Sequence, residues 1–550
     1  MKAAVARLAF IAGLISIALF TLSFGAIPRL SQGSSYACRP PEIRFDANRN
    51  GSIEFGESDI SHGYAPFRFW LNNDRDGFDS TDLFRSSDLD PSQGSPNSSD
   101  DVIDSWRDLE DFATLAIRLP TQFDPNDHAW LVDVYLTPVT GDPAIRLFPA
   151  SSPGTGYLTS QSVAQSQVSL SRSRRGIRIG SSPVPLDNSL FANPERVAYF
   201  IFEGLSKGSG PLTVHLYKAG QCDSSDQGAY LDLAEVTDFY DHWTVGDSIQ
   251  TGPHALQLLH AVQNEEAFTR DYVLFVHGWN LQPWKRRAFA ETAYKRMWHQ
   301  GFRGRFGLFS WPTEWVPLPF LTQLSFDRSE LRAWMSAQGL LEVLLDPMLQ
   351  PYAGRLRVVA HSLGNVVVSE ALRLHAETGR SRLVHTYIAT QAAVSASAYD
   401  PAVGLAPDVY SRYPVGREYY FLRLGRVAEN VINFINEDDF ALGFWRINNG
   451  LKPERILGYR YNSRSEQFFR NSTPLRFPDN RYEIFSFAAR SFSDPLGATE
   501  VRGVVNRTVD LKREFGFGGS PADHSGQFMG SIQTVGPYWA RLLNEMNVQH

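Results

Sequence analysis

Cysteine is scarce: the 550 residues hold two, Cys38 and Cys222. That excludes a disulfide-rich scaffold, and two cysteines so far apart do not make a zinc site. Two readings stay open, one disulfide tying the start of the mature chain to a distant point of the first domain, or two unrelated buried thiols. Spacing alone does not fix the geometry. A long basic run is also missing, and the net charge is −7. A nucleic-acid partner is therefore not expected, because its footprint is a basic stripe. No internal repeat is visible. One continuous apolar stretch, Leu8 to Ile27, follows Lys2 and Arg7. A charged start before an apolar run marks an export signal, and this run is close to the ~20 residues that span a bilayer. Residues 1–27 are thus expected to be a signal peptide, with Ser23-Phe24-Gly25 as the cleavage candidate, or an N-terminal membrane anchor. A lipoprotein fits less well, since Cys38 follows Ser-Ser-Tyr-Ala. The expected location is exported: periplasmic, secreted or anchored through that segment.

What is present supports sizeable cores. Hydrophobic residues make up 43% and charged residues 20%, and the length suits two to four domains of about 150 residues. Residues 38–245 are rich in Ser, Asp, Asn, Gly and Pro. Short β-branched and aromatic runs break them up, such as Ala129 to Pro138, Arg196 to Leu205 and Pro211 to Gly220. They predict a β-rich, sandwich-like module. Residues 250–550 alternate short apolar strands with segments of helical period: a strand at Tyr272 to Gly278, a helix from Ala288 to Gly301, a strand at Arg305 to Trp311, and a helix from Asp327, placed as its cap. Strands at Arg355 to Ser362 and Leu383 to Thr390 flank a helix at Gly364 to Glu377. This pattern predicts an α/β fold: a mostly parallel sheet with helices on both faces.

Within that half, Val358-Val359-Ala360-His361-Ser362-Leu363-Gly364 breaks a buried strand with a serine between two small residues. A serine hydroxyl needs an adjacent base, and the base needs an orienting carboxylate. The serine must also project from a bend so tight that its neighbours two positions away are nearly bare, which fits Ala360 and Gly364. Strand before and helix after are the context that a nucleophile elbow requires. An oxyanion would be held by the N–H of Leu363 and by that of Trp279, which His277-Gly278 turns inward, with Asn280 supporting the loop. The chain order Ser, acid, His points to Asp439 at the end of Val431 to Leu442, in preference to Asp438 or Glu437. It then points to His524, in a loop ahead of the final helix at Ser531 to Met546. His361 precedes the serine and is expected to point away from it, while His375 and His385 lie inside a helix and a strand.

At these residues the chain resembles an α/β-hydrolase. More narrowly, it resembles a bacterial α/β-hydrolase family of unassigned function, through Phe275 to Asn280, Ser310-Trp311-Pro312, Asp327 and Ala360 to Asn365 in that order. The resemblance covers roughly residues 255 to 550 and implies the triad Ser362, Asp439 and His524 with an esterase- or lipase-like activity. The expected function is an exported serine hydrolase acting on a small-molecule or lipid ester, without a cofactor for catalysis. The alternatives are an envelope binding protein, or an amidase or acyltransferase using the same triad. Trp311 to Phe326, with Trp279 and Trp284, is expected to wall the cleft, or to be a packed loop.

One motif lies outside this scheme. Asp46 to Glu57 matches the calcium-loop pattern D-x-N-x-N-G-x5-E. Asp46, Asn48, Asn50, the Ser52 carbonyl and Glu57 would supply oxygens, with Gly51 at the turn. Pro40 and Pro41 preclude a normal entering helix, so the alternative is a loop of Asx turns. A weaker acidic loop follows at Asn72 to Asp79, with Asp74 and Asp76.

Overall fold

Side chains alternate faces along a strand, and in the second half of the chain both faces are apolar. Val273 and Phe275 enter one cluster with Phe289, Ala293 and Met297 of helix Pro283–His299 and Leu542 of helix Ile532–Met546. Leu274 and Val276 enter a second cluster with Ala337 and Leu340 of helix Gln323–Leu344 and Val367 and Ala371 of helix Gly364–Glu377. Helices therefore cover both faces of the sheet. The computed structural model that shows this describes residues 38–72, 109–246, 256–262, 270–316, 323–403, 420–447 and 494–548, with three short strands between 459 and 475. Residues 174–175, 381, 401 and 521–522 are excepted. The expectations for residues 1–27 and for most of the Asn72 to Asp79 loop fall outside these residues.

The sheet has eight strands in the order Gln257–His260, Tyr240–Thr244, Arg305–Ser310, Tyr272–Val276, Leu356–His361, Val384–Thr390, Ala428–Ile435 and Arg507–Asp510. The first pair is antiparallel and the rest are parallel. Three boundaries differ from the sequence expectation, the first being that the helix expected from Ala288 begins at Pro283. Tyr240–Thr244 pairs with Arg305–Ser310, so the first sheet ends before residue 240 and not at 245. The helix expected to start at Asp327 begins at Gln323, which places Asp327 inside it and not at its cap.

The N-terminal region is β-rich, built as one connected nine-stranded sheet where a sandwich-like module was expected. Its centre is Val197–Lys218, a 22-residue strand that fuses two of the expected runs. This strand pairs with Ala113–Arg118, Leu131–Leu136, Thr140–Pro149 and Cys222–Ala234. At Gly208 a neighbouring strand comes too close for a side chain: φ is +150° and a Cβ would lie 2.4 Å from the Thr140 carbonyl. Cys38 and Cys222 form a disulfide, which resolves the two readings of the pair. Among the described residues no helix is long and apolar enough to cross a membrane.

The two halves share a core. Phe67, Phe69 and Trp70 from the first sheet pack around Trp298 of helix Pro283–His299. Beside them Lys295 pairs with Asp111 at 2.5 Å and Arg296 with Glu110 at 2.9 Å, all four side chains being buried. Buried ions of this kind persist only when paired and hydrogen-bonded. Trp70 adds an indole N–H to Asp111 at 2.8 Å.

Candidate active site

Strand Leu356–His361 ends at a residue forced into the left-handed region: Ser362 has φ +53°. Helix Gly364–Glu377 begins two residues later, so the serine stands at a strand-to-helix bend. The neighbours are small because there is no room. A Cβ on Gly364 would approach the His277 carbonyl to 2.5 Å, and one on Gly278 would approach Ser362 Cβ to 2.9 Å. The Ser362 N–H donates to the Thr390 carbonyl at 3.0 Å, and its own carbonyl accepts from Ala393 at 3.1 Å. Asn365, fully buried, donates from its side chain to the Ala360 and Ser362 carbonyls and accepts from the Tyr387 hydroxyl. Main-chain strain at Ser362, of order 1 kcal/mol or more for a non-glycine residue, is thus held from three sides.

The bend brings Ser362 Oγ to 2.8 Å from His524 Nε2. Across the same ring, Nδ1 lies 2.8 Å and 3.0 Å from the two oxygens of Asp439. Ser362 and Asp439 are buried, and the His524 side chain is 15% exposed. Burial opposes the charge on Asp439, yet the His524 imidazole, the Leu442 N–H and the Gln391 amide outweigh it and hold the carboxyl below its usual range. Asp438 points elsewhere and pairs with Lys512 on the surface. Of the three carboxylates weighed in the sequence, Asp439 is the one that meets the histidine.

Leu363 precedes the first turn of its helix, where N–H groups have no intrahelical acceptor. The loop after strand Tyr272–Val276 faces it. His277 is buried and held neutral by burial and the neighbouring Arg286 charge. Its Nδ1–H donates to the Gly278 carbonyl, its Nε2 accepts from the Trp311 N–H, and its ring stacks on Trp311. Asn280, at φ +64°, accepts from the Val316 N–H at 2.7 Å. Trp279 packs edge-on against Phe326. Part of the expected cleft wall, residues 317–322, lies outside the described residues. Trp311 is buried in the core, and Trp284 donates to Gln282 at the head of its helix. A cavity of about 340 Å³ opens at the far end of the serine strand, near Leu356, His375 and Arg380, and none of its lining residues belongs to this site.

Two buried residues at the site were not singled out by sequence. Gln391 follows strand Val384–Thr390 and reaches Asp439, and His361 reaches the His524 carbonyl. His361 was expected to point away from the serine; its Nε2 is directed at the histidine loop. The only signal in the sequence was position, since each lies at the same end of an adjacent parallel strand.

The Asp46 loop is satisfied largely by its own main chain. Asp46 accepts from the Asn50 and Gly51 N–H groups, Asn48 from Asn50, and Asn50 from Ser52. Asp59, absent from the calcium pattern, accepts from Ala47, Asn48 and Glu54. Burial, with the Glu54 charge added, pushes Asp46 up to about 6; burial also pushes Asp59 up to about 7. Glu57 is exposed at the head of a short 3-10 turn. Among the described residues no group of three or more His, Cys, Asp or Glu side chains is arranged to hold a metal.

Residues 258–450 match an α/β hydrolase family of unknown function, DUF900. The motifs that carry the resemblance lie inside that segment, as do Ser362 and Asp439, whereas His524 lies beyond it. No curated protein matches the chain. Solved structures similar in part include a hyperthermophilic esterase from the archaeon Pyrobaculum calidifontis, 12% identical over 30% of this chain and 58% of that one, TM-score 0.18. Others are an esterase of the bacterial hormone-sensitive lipase family, 11% identical over 62% of this chain and 84% of that one, TM-score 0.22, and an extracellular α/β-hydrolase from a Paenibacillus species, 10% identical over 50% of this chain and 98% of that one, TM-score 0.19. This chain therefore spans less than two thirds of the first of these. Similarities at these scores carry no argument about its activity.

Proposed function

We propose that this α/β hydrolase is an exported serine hydrolase that cleaves carboxylic esters through an acyl-enzyme. The observation that carries the reading is the unbroken line of hydrogen bonds from Ser362 through His524 to Asp439. In the resting state the Ser362 hydroxyl donates to Nε2, and Nδ1–H donates to Asp439. As Oγ attacks an ester carbonyl, His524 takes the hydroxyl proton at Nε2, and Asp439 stabilises the imidazolium without itself being protonated. The developing oxyanion is held by the Leu363 and Trp279 N–H groups, each worth about 3 kcal/mol by comparison with similar sites. The imidazolium then protonates the departing alkoxide. Water, deprotonated by His524, attacks the acyl-enzyme and releases the acid. These steps need no cofactor. Export is supported by the Cys38–Cys222 bridge, because such bonds persist in oxidising compartments. A structural calcium ion at the Asp46 loop is a separate proposal, with thermal stability as its readout.

The test is covalent labelling by a fluorophosphonate, which reacts with activated serines. Wild type should be labelled once per chain, at Ser362, and Ser362→Ala not at all. Labelling that persists in the variant, or is absent from wild type, overturns the reading. Turnover of p-nitrophenyl esters against the matching anilides separates ester from amide hydrolysis.

A further inference from the structure

The hydrogen bond between Ser362 and His524 links positions 162 residues apart, and His524 sits in a three-residue 3-10 turn, Asp523–Ser525, with no buried residue of its own. So short a turn cannot fix an imidazole by its own packing. Two side chains from the sheet do so instead. Gln391 is fully buried and, at φ +43°, one of six non-glycine residues in the left-handed region among those described. Its Nε2 uses both hydrogens: one goes to Asp439 Oδ2 at 2.8 Å, the other to the Asp523 carbonyl at 2.8 Å. The amide cannot be reversed, because its oxygen would then face a carboxylate and a carbonyl. His361, also buried, places Nε2 2.7 Å from the His524 carbonyl. A carbonyl only accepts, so Nε2 carries the hydrogen. Burial pushes the His361 imidazole down to about 3, so it stays neutral and keeps that tautomer.

The backbone around Gln391 is braced against the nucleophile itself. Thr390 accepts from the Ser362 N–H and Ala393 donates to the Ser362 carbonyl. Gly497 presses on the turn from outside, where a Cβ would come within 2.0 Å of the Ala392 nitrogen. Gln391 thus touches the acid, the main chain of the histidine turn and, through its neighbours, the serine.

We infer that Gln391 and His361 are positioning residues that clamp two successive carbonyls, those of Asp523 and His524, and so hold the imidazole between Ser362 and Asp439. This inference rests on the serine hydrolase reading, and the experiment separates the two. Fluorophosphonate labelling is followed in time and to completion, on wild type, Gln391→Leu, His361→Phe and His361→Gln. The leucine and phenylalanine variants fill similar space without a donor, and the glutamine restores one. Misplacement of a reacting group by about 1 Å costs on the order of 100-fold. Gln391→Leu and His361→Phe should therefore label about 10- to 100-fold more slowly but still reach one label per chain, and His361→Gln should recover most of the rate. A merely structural role would instead lower the end point at an unchanged rate, and that result overturns the inference. So does wild-type labelling speed in both donor-free variants. No labelling of wild type sinks the hydrolase reading instead.

Discussion

At Ser362 the side-chain oxygen meets a histidine 162 residues further on, whereas at Asp46 the carboxylate bonds to N–H groups four and five residues away. Both stretches carry a recognised sequence pattern. The first gains chemical meaning because three strand ends and a distant turn converge on it. The second closes largely on itself, since Asn and Asp side chains capture their own backbone two to five residues on. Local satisfaction makes a turn, and long-range convergence makes a site.

The largest expected effect tests the convergent end. Ser362→Ala should lower kcat for an activated ester by about 10^6-fold, as in related triads. Asp439→Asn should cost about 10^4-fold through the wrong imidazole tautomer. Its neighbour Asp438, exposed and paired with Lys512, should tolerate the same change within about twofold. Equal losses at the two aspartates would remove the distinction on which the acid assignment rests.

Next in size comes the junction between the halves. Asp111→Ala leaves the buried Lys295 ammonium without its carboxylate and should destabilise the protein by about 3–5 kcal/mol in urea unfolding. A single shared transition is expected, because the aromatic core crosses the junction. Two separate transitions would show the halves to be independent. Cys38→Ser should cost about 2–4 kcal/mol, since the bridge closes a loop between positions 184 residues apart. Equal stability of the reduced and oxidised protein would contradict this.

The smallest effect sharpens the view of the Asp46 loop. Unfolded, Asp46 and Asp59 ionise near 3.8, whereas in the fold they keep their protons to about 6 and about 7. The folded state therefore binds more protons in that window. Their contribution is fully present below pH 3.8 and is lost as pH rises through the folded values. The Tm of Asp59→Asn relative to wild type should accordingly climb by about 1–3 °C between pH 4 and pH 8. A flat difference would refute the linkage. Millimolar calcium at pH 8 should restore the lost Tm in wild type but not in Asp46→Ala, if the proposed ion is bound; no response leaves turn formation as the loop's whole role.

Much of the active end was legible in the residues. Ala360-His361-Ser362-Leu363-Gly364 between a valine run and a helix is a steric requirement written in side-chain size, and the order Ser, acid, His narrowed the partners to the carboxylates at Glu437 to Asp439 and to His524. Gln391 was not legible. Its amide acts on a main-chain carbonyl, which any residue at 523 would supply, so no motif records the pair. The same holds for His361, whose partner is the carbonyl and not the side chain of His524. The long strand Val197–Lys218 was split in two at its glycines, because glycines required by the close approach of neighbouring chain look locally like a turn.

Alone, the sequence determined the alternation of strands and helices, the serine at a bend too tight for large neighbours, and the chain order of acid and base. These are properties of local sterics and periodicity. Only the tertiary structure decided which aspartate reaches His524, whether Cys38 meets Cys222, where the first sheet ends and what holds the histidine turn. Each of those depends on distances between residues far apart in the chain, and such distances are set by packing.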